Sequence, residues 1–112
     1  MMTDAVLLYM TVSSDDEGRR IGRALVEEKL VACVNVMAPM TSLFSWEGEV
    51  QEDGEVPVVA KTRRDLVGRV VERVQALHSY DVPCVVALPI TAGNAAFISW
   101  IGETVLPETN MT

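Results

Sequence analysis

The sequence predicts an α+β fold in which one antiparallel sheet carries two long helices on one face and a further helix follows at the C-terminus. Two observations carry that expectation. Strand-length apolar runs and stretches of helical spacing follow one another as strand, helix, strand, strand, helix, strand. A chain of 112 residues is also long enough for one hydrophobic core and too short for two ordinary domains. Residues 1–105 are therefore read as a single domain and 106–112 as a polar tail.

The first strand is Ala5 to Val12, apolar on both alternating sets of side chains, as a strand in the middle of a sheet is. Ser14 and Glu17 form a capping-box pattern, and Ile21, Ala24 and Leu25 recur at helical spacing up to Leu30, which places a helix over Asp15 to Lys29. Val31 to Trp46 and Val50 to Thr62 are β-rich arms of a long hairpin around Glu47-Gly48, where glycine can take the positive φ of a tight turn. Pro39 cannot donate to a ladder, so it marks an edge or a bulge in the first arm, and Gly54 with Pro57 is expected to interrupt the second. Thr62 and Asp65 read as a weaker cap, followed by the stripe Leu66, Val70, Val74 and Leu77 of a helix ending near His78. Pro83 blocks its continuation, Val85 to Ile90 reads as a buried strand, and Asn94 caps a short helix holding Phe97, Ile98, Trp100 and Ile101.

Right-handed crossovers and a direct hairpin make this order a ferredoxin-like βαββαβ sandwich. The strands carrying Cys33 and Val85 then lie at opposite edges of the sheet. Both edges are apolar, an aggregation hazard unless other copies of the chain cover them. With 49% apolar residues and a mean hydropathy of +0.23, the composition points the same way. Neighbouring subunits are expected to add strands there, burying on the order of 800 Å² per partner per contact.

Sixteen acidic against nine basic side chains, a formal charge of -7, repel nucleic acid and anionic lipid. The apolar run at Ala5 to Val12 is strand-length and framed by acids, so no signal or membrane segment is read and a cytoplasmic location is expected. Cys33 and Cys84 are too few for a disulfide scaffold and are read as thiols.

Cys33 suits core packing, yet with Cys84 of a neighbouring subunit it could supply two thiolates to Cu(I) or Zn(II). His78, the single histidine, sits at a helix C-terminus, where it can serve the terminal carbonyls or bind metal with Asp81 as co-ligand or orienting acceptor. The chain has no HxH, CxxC or HExxH spacing, so a metal site has to be assembled from distant segments or several chains. Lys61 places a cation in an apolar strand, where it needs a carboxylate such as Asp81 or Glu47 across a subunit boundary, or binds an anion. Trp46, Trp100 and Tyr80 read as interface side chains, Met37 and Met40 as gap-fillers, and the acidic hairpin residues as a solvated turn. No nucleophile motif or phosphate-cradling loop is present, so no enzymatic reaction is assigned.

The segments Ala32-Cys33-Val34-Asn35, Trp46-Glu47-Gly48-Glu49, Lys61-Thr62, His78-Ser79-Tyr80-Asp81-Val82-Pro83 and Trp100-Ile101 resemble, in order and spacing, the CutA divalent-cation-tolerance proteins. The resemblance runs from about Ala5 to Val105. It implies a ferredoxin-like fold in a PII-like trimer whose long hairpins pair between subunits, a role in tolerance of copper and other divalent metals, and, in a vertebrate branch, membrane anchoring of a neuronal enzyme. The usual family pattern after the histidine is Pro-Tyr-Glu-x-Pro-Glu, whereas here Asp81 shortens the carboxylate arm and Cys84 replaces a carboxylate by a thiol, which favours softer metals. The combined expectation is a non-enzymatic, cytoplasmic homotrimer without organic cofactor, holding copper or another divalent cation near its interfaces through Cys33, His78 and Cys84. The alternatives are a PII-like sensor holding an anionic metabolite or nucleotide against Lys61 in an intersubunit cleft, and a structural adaptor scaffold.

Overall fold

Strand β1 (Ala5–Val12) buries Val6, Leu8, Met10 and Val12 on one face, and both its flanks are occupied by antiparallel neighbours, as its apolar composition requires. The computed structural model describes residues 3–108 and gives the strand order β2-β4-β1-β5, with β3 paired to the outer half of β4. Here β2 is Cys33–Val36, β3 Met40–Trp46, β4 Glu49–Arg63 and β5 Val85–Pro89. Cys33 and Val85 thus stand on opposite edge strands, as the sequence predicts.

Helix α1 (Asp15–Glu27) begins where Ser14 Oγ accepts the Glu17 N–H at 3.1 Å. It stops two residues short of the expected Lys29, which turns left-handed with φ 58 so that the Leu30 N–H closes on the Leu25 carbonyl. Glycine at position 22 lets this helix approach β2, because a Cβ there would lie 2.8 Å from Val34 Cγ1.

The hairpin turns at Glu47 and Gly48, with φ values of 51 and 81. Its first arm breaks at residues 37–39, as Pro39 predicts, but β4 runs unbroken through Gly54 and Pro57, against expectation. The Pro57 carbonyl accepts the Met37 N–H at 3.0 Å, and its missing N–H faces the same side, where the β2 ladder has already ended. The expected cap at Thr62 and Asp65 is also corrected. Thr62 Oγ1 is buried and donates to the Leu30 carbonyl at 2.6 Å, while Asp65 holds Arg63, so the chain enters α2 (Val67–Leu77) through a 3₁₀ turn without a side-chain cap. β5 is not buried as predicted: Val86 is 50% and Leu88 48% exposed. Asn94 caps α3 (Ala95–Thr104) through the Phe97 N–H.

Helices α1 and α2 close the main core over one face of the sheet, where Ile21, Leu25, Val70 and Val74 meet Leu8, Met10, Val58 and Ala60. The other face is covered only at one end, where Ile101 and Val105 pack beside Ala5 and Leu66, and Arg63 bonds the Gly102 and Leu106 carbonyls. Leu106, assigned to the tail from sequence, packs against both clusters, with its N–H on the Lys29 carbonyl. The rest of the predicted tail beyond Glu108 lies outside the described residues.

Candidate functional site

Strand alternation and register arrange the open sheet face as rows. One row is Cys33, Lys61, Leu7 and Leu88; the next is Asn35, Val59, Tyr9 and Val86. A third carries Pro57 and Thr11, beside which lies Cys84. The two thiols therefore share one face but occupy diagonal corners, roughly 20 Å apart from strand spacing and rise.

At the first corner Lys61 Nζ donates to Asn35 Oδ1 at 2.9 Å and lies 3.8 Å from Cys33 Sγ. Among the described residues Lys61 makes no ion pair, so neither Asp81 nor Glu47 answers it within one chain. At the opposite corner the Tyr80 hydroxyl donates to Glu55 Oε2 at 3.3 Å. Burial, reinforced by the negative charge of Glu55, raises the pKa of both the Tyr80 phenol and the Cys84 thiol, the latter opposed in part by a hydrogen bond with Thr11. Asp81 is exposed.

His78 corrects the sequence reading. Its Nδ1 accepts the Tyr80 N–H at 3.0 Å, so Nε2 carries the proton and donates to the Thr11 carbonyl at 2.8 Å. Both ring nitrogens are spent on backbone groups, and the carbonyl served belongs to β1 rather than to the helix end. The ring lies 4.6 Å from that of Tyr80. A metal could reach His78 only after one of these bonds opened.

Glu17 is the residue the sequence undervalues. The Ser-x-x-Glu spacing signals a helix start, but the carboxylate also accepts from Ser13 N–H and Oγ–H at 2.9 and 2.8 Å and from the Ser79 N–H at 2.9 Å. Burial by itself would raise its pKa, yet these hydrogen bonds win and lower it to about 2. Glu17 and His78 together fasten the segment bearing Tyr80 to β1 and α1. Asn35 and Thr11 were likewise not singled out; register alone brings them into the site.

Trp46, 61% exposed, stands at the hairpin end, and Trp100, 41% exposed, lies with its ring 5.4 Å from Phe97 on α3. Neither belongs to the core. A groove of about 290 Å³ runs between α1 and the β2 edge, lined by Arg19, Gly22, Arg23, Val26, Glu27, Val34 and Val36. Among the described residues no three His, Cys, Asp or Glu side chains converge to hold a metal ion. One chain alone therefore does not fit a resident metal, and Cys33, His78 and Cys84 do not form a site within it.

Comparison with known proteins gives a consistent picture. The family model described as CutA1 divalent ion tolerance protein matches residues 6–104. A divalent-cation tolerance protein CutA of Thermus thermophilus is 46% identical over 102 residues, covering 91% of this chain and 97% of that one. Protein CutA, chloroplastic, of Arabidopsis thaliana is 41% identical over 97 residues, which are 87% of this chain but 53% of the plant protein. The crystal structure of CutA1 from Oryza sativa superposes with a TM-score of 0.91 at 37% identity, covering 96% of this chain and 98% of that one. The periplasmic divalent cation tolerance protein CutA from Archaeoglobus fulgidus does so with 0.87 at 41% identity, covering 91% and 99%.

Proposed function

The chain belongs to the CutA1 divalent ion tolerance protein family, and from that premise we propose that it is a ferredoxin-like, PII-like homotrimer that serves tolerance of divalent cations without catalysing a reaction. Copper or another divalent ion is contacted where subunits meet. One observation carries the reading: an apolar sheet face formed by Leu7, Tyr9, Val59, Val86 and Leu88 is left open between two unpaired edge strands, with a cysteine at each of two corners. Thiols too distant within one chain can be neighbours between chains, and thiolate pairs suit Cu(I) and Zn(II). Charge supports hairpin exchange. The outer hairpin, residues 40–56, carries Glu47, Glu49, Glu52, Asp53 and Glu55 without a cation, whereas the groove beside β2 presents Arg23 and Arg19, the latter paired with Asp15, next to Glu27. We place the protein in the cytoplasm, where thiols stay reduced; the relatives named for chloroplast and periplasm show that compartment varies among similar chains.

Light scattering should give three times the chain mass of 12.3 kDa. Calorimetric titration of the reduced protein with Cu(I) and Zn(II) should show binding that a Cys33→Ser, Cys84→Ser double variant loses and a His78→Ala variant keeps. A monomeric mass, or unchanged binding in the double variant, overturns the proposal. A second reading rests on Lys61, a half-buried cation held by an amide instead of a carboxylate. As a PII-like sensor the cleft would take an anionic metabolite or nucleotide, seen as a thermal shift lost in Lys61→Met.

A further inference from the structure

The contact between Lys61 and Cys33 brings an amine and a thiol side by side on paired strands, whether or not a cation ever binds. Cys33 and Lys61 are directly opposed in the β2–β4 ladder, and among the described residues the lysine head donates only to the Asn35 amide at 2.9 Å and, weakly, to Cys33 Sγ at 3.8 Å. We propose that this pair is an oxidation site, at which peroxide converts the two side chains into a covalent cross-link between the edge strand and its neighbour.

In the first step the Cys33 sulfur attacks one oxygen of hydrogen peroxide, the O–O bond breaks, and thiol plus peroxide become sulfenic acid plus water. In the second step the Lys61 nitrogen attacks the oxidised sulfur. An S–N bond forms, the S–O bond breaks, the hydroxyl leaves as water with a proton from nitrogen, and any further ammonium proton passes to solvent. Sulfur is oxidised, peroxide is reduced, and the protein loses two hydrogen atoms. The same condensation with a backbone nitrogen is established chemistry for sulfenic acids.

Geometry favours this partner. Opposed side chains on antiparallel strands have Cβ atoms roughly 5 Å apart, within the span of a cysteine and a folded lysine stem. Nζ has to move only about 2 Å toward sulfur, releasing Asn35, and four methylenes make that motion easy. The only other thiol, Cys84, lies at the far corner of the same face, so within a chain no disulfide competes with the amine. Peroxide is barely larger than water and can reach a half-buried sulfur beside a subunit seam.

The test is peroxide titration of the assembled full-length protein, read by intact mass and peptide mapping. The expected product is a cross-linked pair of peptides containing Cys33 and Lys61, lighter by two hydrogens and restored by dithiothreitol. In Lys61→Arg, which keeps the charge, the cross-link should vanish and dimedone should instead trap Cys33 as sulfenic acid. Cys84→Ser should cross-link as fully as the parent. The proposal is overturned if Cys33 stays unoxidised, if it passes to sulfinic acid equally in parent and Lys61→Arg, if it pairs with Cys84, or if the bridge retains oxygen.

Discussion

Replacing Glu17 by glutamine should reveal how much of the fold hangs on one buried carboxylate. Its pKa falls from 4.5 to about 2 on folding, a difference equivalent to about 3 kcal/mol of stability from ionisation. Because the folded value is the lower one, that contribution is complete above pH 4.5 and drains away as the pH falls toward 2. Glutamine keeps an oxygen for the two Ser13 donors but turns its amide group toward the Ser79 N–H, now 2.9 Å from an acceptor. Stranding that donor costs about 1–3 kcal/mol, so the variant should lose about 3 kcal/mol at pH 7, or about 10 °C in Tm. Urea unfolding of parent and variant at one fixed protein concentration, repeated from pH 7 to pH 2.5, measures both parts. The parent should converge on the variant as acid is added. A loss below about 1 kcal/mol at neutral pH, or parallel acid profiles for the two proteins, would refute the assignment of Glu17 as the fastening point.

Glycine substitutions should split by position: Gly22→Ala forces a Cβ against Val34 and should cost about 1–3 kcal/mol, whereas Gly68→Ala, in open space on α2, should gain about 0.5–1 kcal/mol, both by urea unfolding. Arg63→Met should cost about 2–4 kcal/mol, since the guanidinium of this 7%-exposed residue serves the Gly102 and Leu106 carbonyls; a loss below about 0.5 kcal/mol would mean solvent replaces it. Gly48→Ala should destabilise the hairpin by about 1 kcal/mol because its φ of 81 disfavours a Cβ, and hydrogen exchange across β3 and β4 should rise with it. If Cys84 binds metal, affinity should climb with pH through the alkaline range, since the ion must displace a proton held more tightly than by an ordinary thiol, and a flat titration removes Cys84 from the site.

What could be read from sequence was local or topological. Ser14 with Glu17, the turn at Glu47-Gly48 and the cap at Asn94 depend on residues a few positions apart, and each forms where its pattern lies. The edge positions of Cys33 and Val85 follow from element order alone. The failures are tertiary. Thr62 followed by Asp65 has the spacing of a cap, but the strand end is buried and its hydroxyl is taken by Leu30, far away in sequence. His78 was placed correctly at the end of α2, yet nothing nearby in sequence indicates that its ring crosses to Thr11. Asn35 becomes a partner for Lys61 only after the register sets Cys33 opposite Lys61, and that register follows from a bend whose position Pro39 suggests but does not fix.

The two corners of the open face differ in a way that bears on how copies could meet. At one, Lys61 is a cation that makes no ion pair among the described residues; at the other, Glu55 gathers the Tyr80 hydroxyl and opposes ionisation of Cys84. A face with a cation at one corner and a carboxylate at the opposite one is complementary to a rotated copy of itself, and like-charged corners in contact would cost several kcal/mol. In the proposed assembly the apolar residues between the corners would supply the drive to associate, and the charges would select the rotation. A Lys61→Glu variant would place carboxylates at both corners, and a Glu55→Lys change added to it would restore opposite signs in the reverse sense. If the single change breaks the assembly and the double change rebuilds it, the corners touch between subunits; if both leave the mass unaltered, the face is closed by contacts in which these two residues take no part.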